Sequence, residues 1–135
     1  MAIAKSTQTA QEALHHFKSF LGKPRTALPW LNGKEKGFPN RVNGFLDCAL
    51  GYSYISGLRP VMTSCHVIRD YAKANKTWHR NIKLVQPGDA VIFDWTGKAT
   101  DTMHVGMVDH VDVKNGTVTY VSADTGKVIP GIVTV

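Results

Sequence analysis

PGDAVIFDW, residues 87 to 95, is where the sequence changes character. Pro87 and Gly88 break whatever period precedes them, since proline cannot continue a helix and the pair favours a turn. Ala90 to Phe93 is then the longest unbroken aliphatic or aromatic run in the chain, four residues, as a central strand requires. Downstream, Met103 to Val113 alternates, Asn115-Gly116 separates it from Thr117 to Ser122 as a hairpin signal, and Val128 to Val135 reads as a last short strand. Upstream the spacing is helical or irregular. Helices first and antiparallel strands second is an α+β order, with N-terminal helices packed on one side of a C-terminal antiparallel sheet.

Three helices precede the turn. Thr9 with Glu12 is a capping box, and Ala10, Ala13, Leu14, Phe17 and Leu21 follow at helical spacing before Gly22 and Pro24. A second helix runs from Asp47 to about Ser56, ended by Gly57, with Ala49, Leu50, Tyr54 and Ile55 inward. A third, capped by Thr63 or Ser64, carries Cys65, Ile68, Tyr71 and Ala72 on one face up to Asn75. Between the first two, residues 23–45 are rich in Gly, Pro, Asn and Lys without a sustained period, which reads as a long surface loop with a functional role.

The 135 residues, 43% apolar and 19% charged, fit one domain spanning 1–135. Such a chain buries roughly two thirds of its unfolded surface and needs no disulfide or metal staple. Collagen-like, low-complexity and disordered classes are excluded by composition. No stretch is apolar enough to span a bilayer, and the opening MAIAKSTQTAQEAL lacks the apolar region of a signal peptide, so neither a membrane anchor nor a secretion signal is expected. Charge is uneven: thirteen Lys and Arg against four Asp and Glu up to Gly88, three against six from Asp89 onward. The basic part faces a polyanion or serves solubility. Cys48 and Cys65, seventeen positions apart without a CxxC or a matching His pair, do not form a zinc motif.

A cysteine at the start of a helix is a different chemical object from one elsewhere. Unpaired backbone N–H groups and the helix dipole stabilise the thiolate, so Cys48 is a candidate nucleophile and its own backbone N–H a candidate oxyanion donor. His104, at the head of a strand and on the same face as Gly106, is the candidate base; the absent side chain at Gly106 leaves room for substrate or for the Cys48 helix. Cys65 shares the apolar face of its helix and reads as a small buried hydrophobe. His15, His16, His66 and His79 read as surface residues, and His110 and Asp112 as solvent-exposed near the hairpin tip.

Five segments, DCALGYSYISGL (47–58), MTSC (62–65), PGDAVIFDW, HVGMV (104–108) and YVSADTG (120–126), together resemble the CHAP domains, the cysteine, histidine-dependent amidohydrolase/peptidase domains of bacteriophage endolysins and related wall hydrolases. The resemblance covers about residues 10 to 135. CHAP domains usually have Trp before the Cys; the Asp-Cys pair here is similar to the neighbouring NlpC-type peptidases. Both families have a papain-like fold and cleave peptidoglycan, so the resemblance implies a papain-like cysteine hydrolase with Cys48 as nucleophile, His104 as base and Asp124 as the residue that orients the imidazole. Asp124 stands where the family usually has Asn, and Ser122 where it usually has Glu. Trp30 and Trp95 are candidates for a substrate groove, with core or rim packing as the alternative, and Asn43 or Asn40 for a second oxyanion donor.

The hairpin register decides whether Asp124 can reach His104. With a two-residue turn, Lys114 opposes Thr117 and Asp124 points away from the His104 face. With a three-residue loop, Val113 opposes Thr117, Asp124 sits opposite Gly106 and is the diagonal neighbour of His104. The proposed site requires the second register or a compensating bulge.

The expected activity is hydrolysis of an amide bond in peptidoglycan, either an N-acetylmuramoyl-L-alanine amide or a peptide bond, without a metal or organic cofactor. Some CHAP domains bind calcium through a short Asp-rich loop near the Cys; here only Glu12 and Glu35 are acidic between Met1 and Leu46, so no such site is expected. The implied partner is bacterial peptidoglycan, not nucleic acid or membrane, and the chain is expected to be a monomer, made in the host cytoplasm and acting on the wall after release or from outside. An ending directly after the last strand suits a catalytic domain cut from a longer lysin. The rival reading is a basic binding module for nucleic acid or wall polymer, which would need exposed aromatics interleaved with its positive charge.

Overall fold

Thr9 starts the first helix as its sequence requires: its hydroxyl oxygen accepts the Glu12 N–H at 3.1 Å, and α1 runs Ala10–Lys18. The computed structural model describes residues 9–38, 47–57, 61–94 and 103–135. α1 buries Ala13, Leu14 and Phe17, one stripe at helical spacing. The second helix, α2, spans Cys48–Ser56 and stops at Gly57, whose φ of 73° is the left-handed conformation a helix C-terminus favours. It is the central helix, with Ala49 to Ser53 and Ile55 buried. The third, α3 (Cys65–Ala74), buries only Cys65 and Ile68 and leaves the rest of its surface half-buried or exposed.

Four strands follow, β1 (Ala90–Asp94), β2 (Met103–Asp112), β3 (Thr117–Asp124) and β4 (Lys127–Thr134), in one antiparallel sheet of order β1-β2-β3-β4. The architecture is thus α+β, helices before an antiparallel meander. Val105, Met107, Val121, Ala123 and Val128 turn to the helices and join Phe17, Leu28, Trp30, Leu50 and Ile55 in a single core. Among the described residues no helix is long and apolar enough to cross a membrane.

Two expectations need correction. Within residues 23–45, the described part does not merely wrap the surface: Leu28, Trp30, Leu31 and Phe38 are buried, following a short 3₁₀ turn at Arg25–Ala27 and interspersed with further turns. Apolar residues presented one at a time between turns leave no period to read. The hairpin takes neither of the two simple registers, and it is the alternative, a compensating bulge, that brings Asp124 to the His104 face. Asp112 opposes Thr117 across a four-residue loop, in which Asp112 accepts the Asn115 backbone N–H at 3.1 Å and Gly116 adopts φ 66°. A bulge between Val108 and His110 then shifts the pairing, so that Val108 opposes Tyr120 and Met107 opposes Val121. Asp109 is the extra residue, held by an ion pair with Lys18 of α1 at 2.8 Å.

Candidate active site

The bulge sets which side chains meet. Val108 and Tyr120 share one face of the sheet, and by alternation so do His104 on β2 and Ser122 and Asp124 on β3. Had the Val111–Val118 pairing continued unbroken, Val108 would oppose Val121, and Ala123 would stand on the His104 side in place of Ser122. Phe93 of β1 opposes His104 and stacks on it with ring centroids 5.8 Å apart, and Tyr120 lies against Phe93 at 4.9 Å. His104 is therefore 8% exposed, walled by two aromatic rings.

The residue that meets His104 Nε2 is Ser122, whose Oγ is 2.9 Å away and itself buried. Asp124, singled out for this position, ends β3 two residues further along, half-buried, opposite Lys127. Asp124 shares the His104 face, but the hydrogen bond at Nε2 is made with Ser122. The signal was in the sequence, since YVSADTG places a hydroxyl two positions before the Asp, but a serine where CHAP domains, which the segment resembles, usually have Glu reads as a loss.

Cys48 is the first residue of α2 and half-buried. Its thiol lies 3.5 Å from that of Cys65, the first residue of α3. The Cys65 thiol donates to Cys48, and the His104 side chain and the Val105 backbone N–H add hydrogen bonds and favourable charge; against the opposing effect of burial these pull the Cys48 thiol down to about 4. The same contact, with burial and the Cys48 charge, pushes the Cys65 thiol up. Cys65 is buried as its helical face predicts, but it is not merely packing: it is a first neighbour of the reactive sulfur.

Asp47 precedes Cys48 and is 2% exposed. It stands at the N-cap position yet makes no side-chain bond to its own helix, leaving the first-turn N–H groups of α2 uncapped by it. Its carboxylate accepts instead from Trp30 Nε1 at 3.1 Å and from the Gly126 N–H at 3.1 Å. Burial raises its pKa from the ordinary value, and these two donors pull the other way. Gly126 lies in the β3–β4 turn, where Thr125 (φ 49°) and Gly126 (φ 82°) are both left-handed, an uncommon state for a β-branched residue. Arg25 Nη2 holds the Thr125 carbonyl at 2.7 Å, and a side chain at position 126 would collide with the same guanidinium.

Trp30 belongs to this clamp and not to a substrate groove. It is fully buried, edge-on to Phe17 and Phe20 with centroids 6.0 and 5.3 Å away and tilted against Tyr54 at 5.7 Å. Gly106 does not leave room for substrate either, because a Cβ there would stand 2.6 Å from Cδ2 of Tyr120. Asn40, Asn43 and Trp95 lie outside the described residues. His15, His66, His79 and His110 are exposed, whereas His16 is half-buried against Phe20 and Tyr54. Asp112 is half-buried and occupied by Asn115. Among the described residues no group of three or more His, Cys, Asp or Glu is arranged to hold a metal ion. No protein-family model matches the chain, and no curated protein or solved structure does.

Proposed function

We propose that this chain is a papain-like cysteine hydrolase that cleaves an amide bond of bacterial peptidoglycan, reaching the wall after release from a host cell or from outside. The observation that carries the reading is the contact of one half-buried, acidified thiol, Cys48 at a helix start, with one imidazole, His104, whose far nitrogen is held by Ser122. With Nε2 engaged by Ser122, Nδ1 is the ring nitrogen left to exchange a proton with the sulfur. Cys48 Sγ attacks the amide carbonyl, His104 delivers the proton to the leaving amine, and water then releases the acyl-enzyme with His104 as base. The first-turn N–H groups of α2 face the oxyanion that forms. The amide chemistry follows from the thiol and imidazole; the choice of peptidoglycan rests on the five segments that resemble CHAP and NlpC-type domains.

Mass spectrometry of purified peptidoglycan after digestion, reading the new amine and carboxyl ends, tests both parts. New ends at an N-acetylmuramoyl-L-alanine or peptide amide are expected, and Cys48→Ala lowers their appearance by at least about a thousandfold with the fold retained. Equal digestion by this variant and the wild type refutes the mechanism. The pKa shift adds a second handle. A thiol lowered from about 9 to about 4 stays a thiolate as pH falls through the neutral range and is lost only near the lower value, so iodoacetamide alkylation of Cys48 is expected to stay fast from pH 8 down to about pH 5. Alkylation that collapses below pH 8 contradicts the shift.

The rival binding module needs exposed aromatics along the basic part. Trp30 and Phe38 are core residues, and Trp78 is half-buried with the Lys73 ammonium 5.6 Å from its ring.

A further inference from the structure

The mechanism above uses one thiol, but two meet at the site. Cys48 and Cys65 each open a helix, and their sulfurs lie 3.5 Å apart, about 1.5 Å more than a disulfide bond requires. Their exposure differs: Cys48 is half-buried, so a small oxidant reaches it, whereas Cys65 is 6% exposed and shielded behind it. Closing the gap asks most of α3, which is anchored by only two buried side chains, Cys65 and Ile68. We infer that Cys48 and Cys65 form a modification site, a dithiol that peroxides convert to an intramolecular disulfide, with Cys48 as the attacking sulfur and Cys65 as the resolving one.

The chemistry balances in two steps. The Cys48 thiolate attacks one oxygen of hydrogen peroxide, the O–O bond breaks, sulfur is oxidised to sulfenic acid and hydroxide leaves. The Cys65 sulfur then attacks the Cys48 sulfur, the S–O bond breaks, and the hydroxyl departs with the Cys65 proton as water. The order suits the electrostatics. Contact with the Cys48 thiolate is the main reason the Cys65 proton is held tightly, and the first step removes that charge. A vicinal thiol that captures the sulfenic acid keeps Cys48 from the irreversible sulfinic and sulfonic states. The disulfide itself does not depend on the proposed hydrolysis; only the claim that it silences the enzyme rests on that reading.

The experiment titrates the reduced full chain with hydrogen peroxide, follows intact mass and maps peptides, with peptidoglycan hydrolysis measured in parallel. The expected result is loss of two hydrogen masses, a Cys48–Cys65 crosslinked peptide, activity falling in proportion to the crosslink, and full recovery with dithiothreitol. In Cys65→Ala the expected product carries two or three added oxygens on Cys48, the sulfinic and sulfonic states, and the activity lost with them is not recovered by dithiothreitol. Wild-type protein that gains oxygen without forming the crosslink overturns the inference, whatever its activity. A crosslink formed in a protein that never hydrolysed peptidoglycan leaves the dithiol standing and removes the proposed function.

Discussion

The two faces of the sheet are built by different rules from the same strands. Toward the helices, Val105, Met107, Val121 and Ala123 are all but fully buried and wholly apolar, chosen by packing. On the other face His104, Ser122, Phe93 and Tyr120 make a cluster in which polar atoms are paired and rings wall them in. The boundary falls between consecutive residues: the Val105 side chain fills the core while its backbone N–H supports the Cys48 thiolate, and the His104 side chain next to it lies between Cys48 and Ser122. Strand alternation lets one strand serve both needs, provided that its register with β3 is right.

Substitutions that cross the boundary are the strongest way to break this contrast. Met107→Asp places an unpaired carboxylate among Phe17, Leu50 and the other core residues and is expected to cost at least about 3 kcal/mol, abolishing cooperative thermal unfolding at physiological temperature. Ser122→Ala acts on the other face. It is expected to lower the turnover number about tenfold while costing about 1–3 kcal/mol of stability, since the buried Nε2 loses its partner. Asp124→Ala, measured alongside, is expected to change turnover less than Ser122→Ala; the reverse order in steady-state kinetics would assign the proposed orienting role to Asp124. The smallest effect belongs to the bulge. Lys18→Ala removes an ion pair whose side chains are 40% and 30% exposed, and by thermal melting it is expected to cost no more than about 1 kcal/mol. A larger loss would mean that the Lys18–Asp109 contact, and not the pairs on either side of it, fixes the register.

Much of this fold was legible because local chemistry agreed with it. Thr9 with Glu12, Gly57 after Ser56 and the apolar run at Ala90 each give a boundary through a cap, a left-handed stop or a strand pattern. Cys48 and His104 were legible for a related reason, being reactive residue types at element starts. A compensating bulge could be named as an alternative but not placed, because Asp109 differs from its neighbours by no composition signal; it is selected by partners on β3 and by Lys18, 2.8 Å away in space but ninety-one residues away in sequence. Ser122 was hidden by the same fact, since its face depends on that bulge. Trp30 and Cys65 were each half legible: of the two readings open for Trp30 the structure takes core packing, and Cys65 is buried as its apolar helix face predicts but also touches the Cys48 thiol, which no local pattern announces.

The Asp47 clamp has a temporal consequence. Its carboxylate ties the start of α2 to Trp30, seventeen residues back, and to Gly126, seventy-nine residues ahead. Contacts of such sequence separation form late, after the loop entropy between them has been overcome. A chain emerging from the ribosome can wind α2 early, but it cannot lock Cys48 in place, nor give it the support of Val105, until the final hairpin has been synthesised and closed. The proposed activity would therefore belong to the finished fold alone, with folding kinetics as a delay between synthesis of the chain and assembly of the Cys48 site.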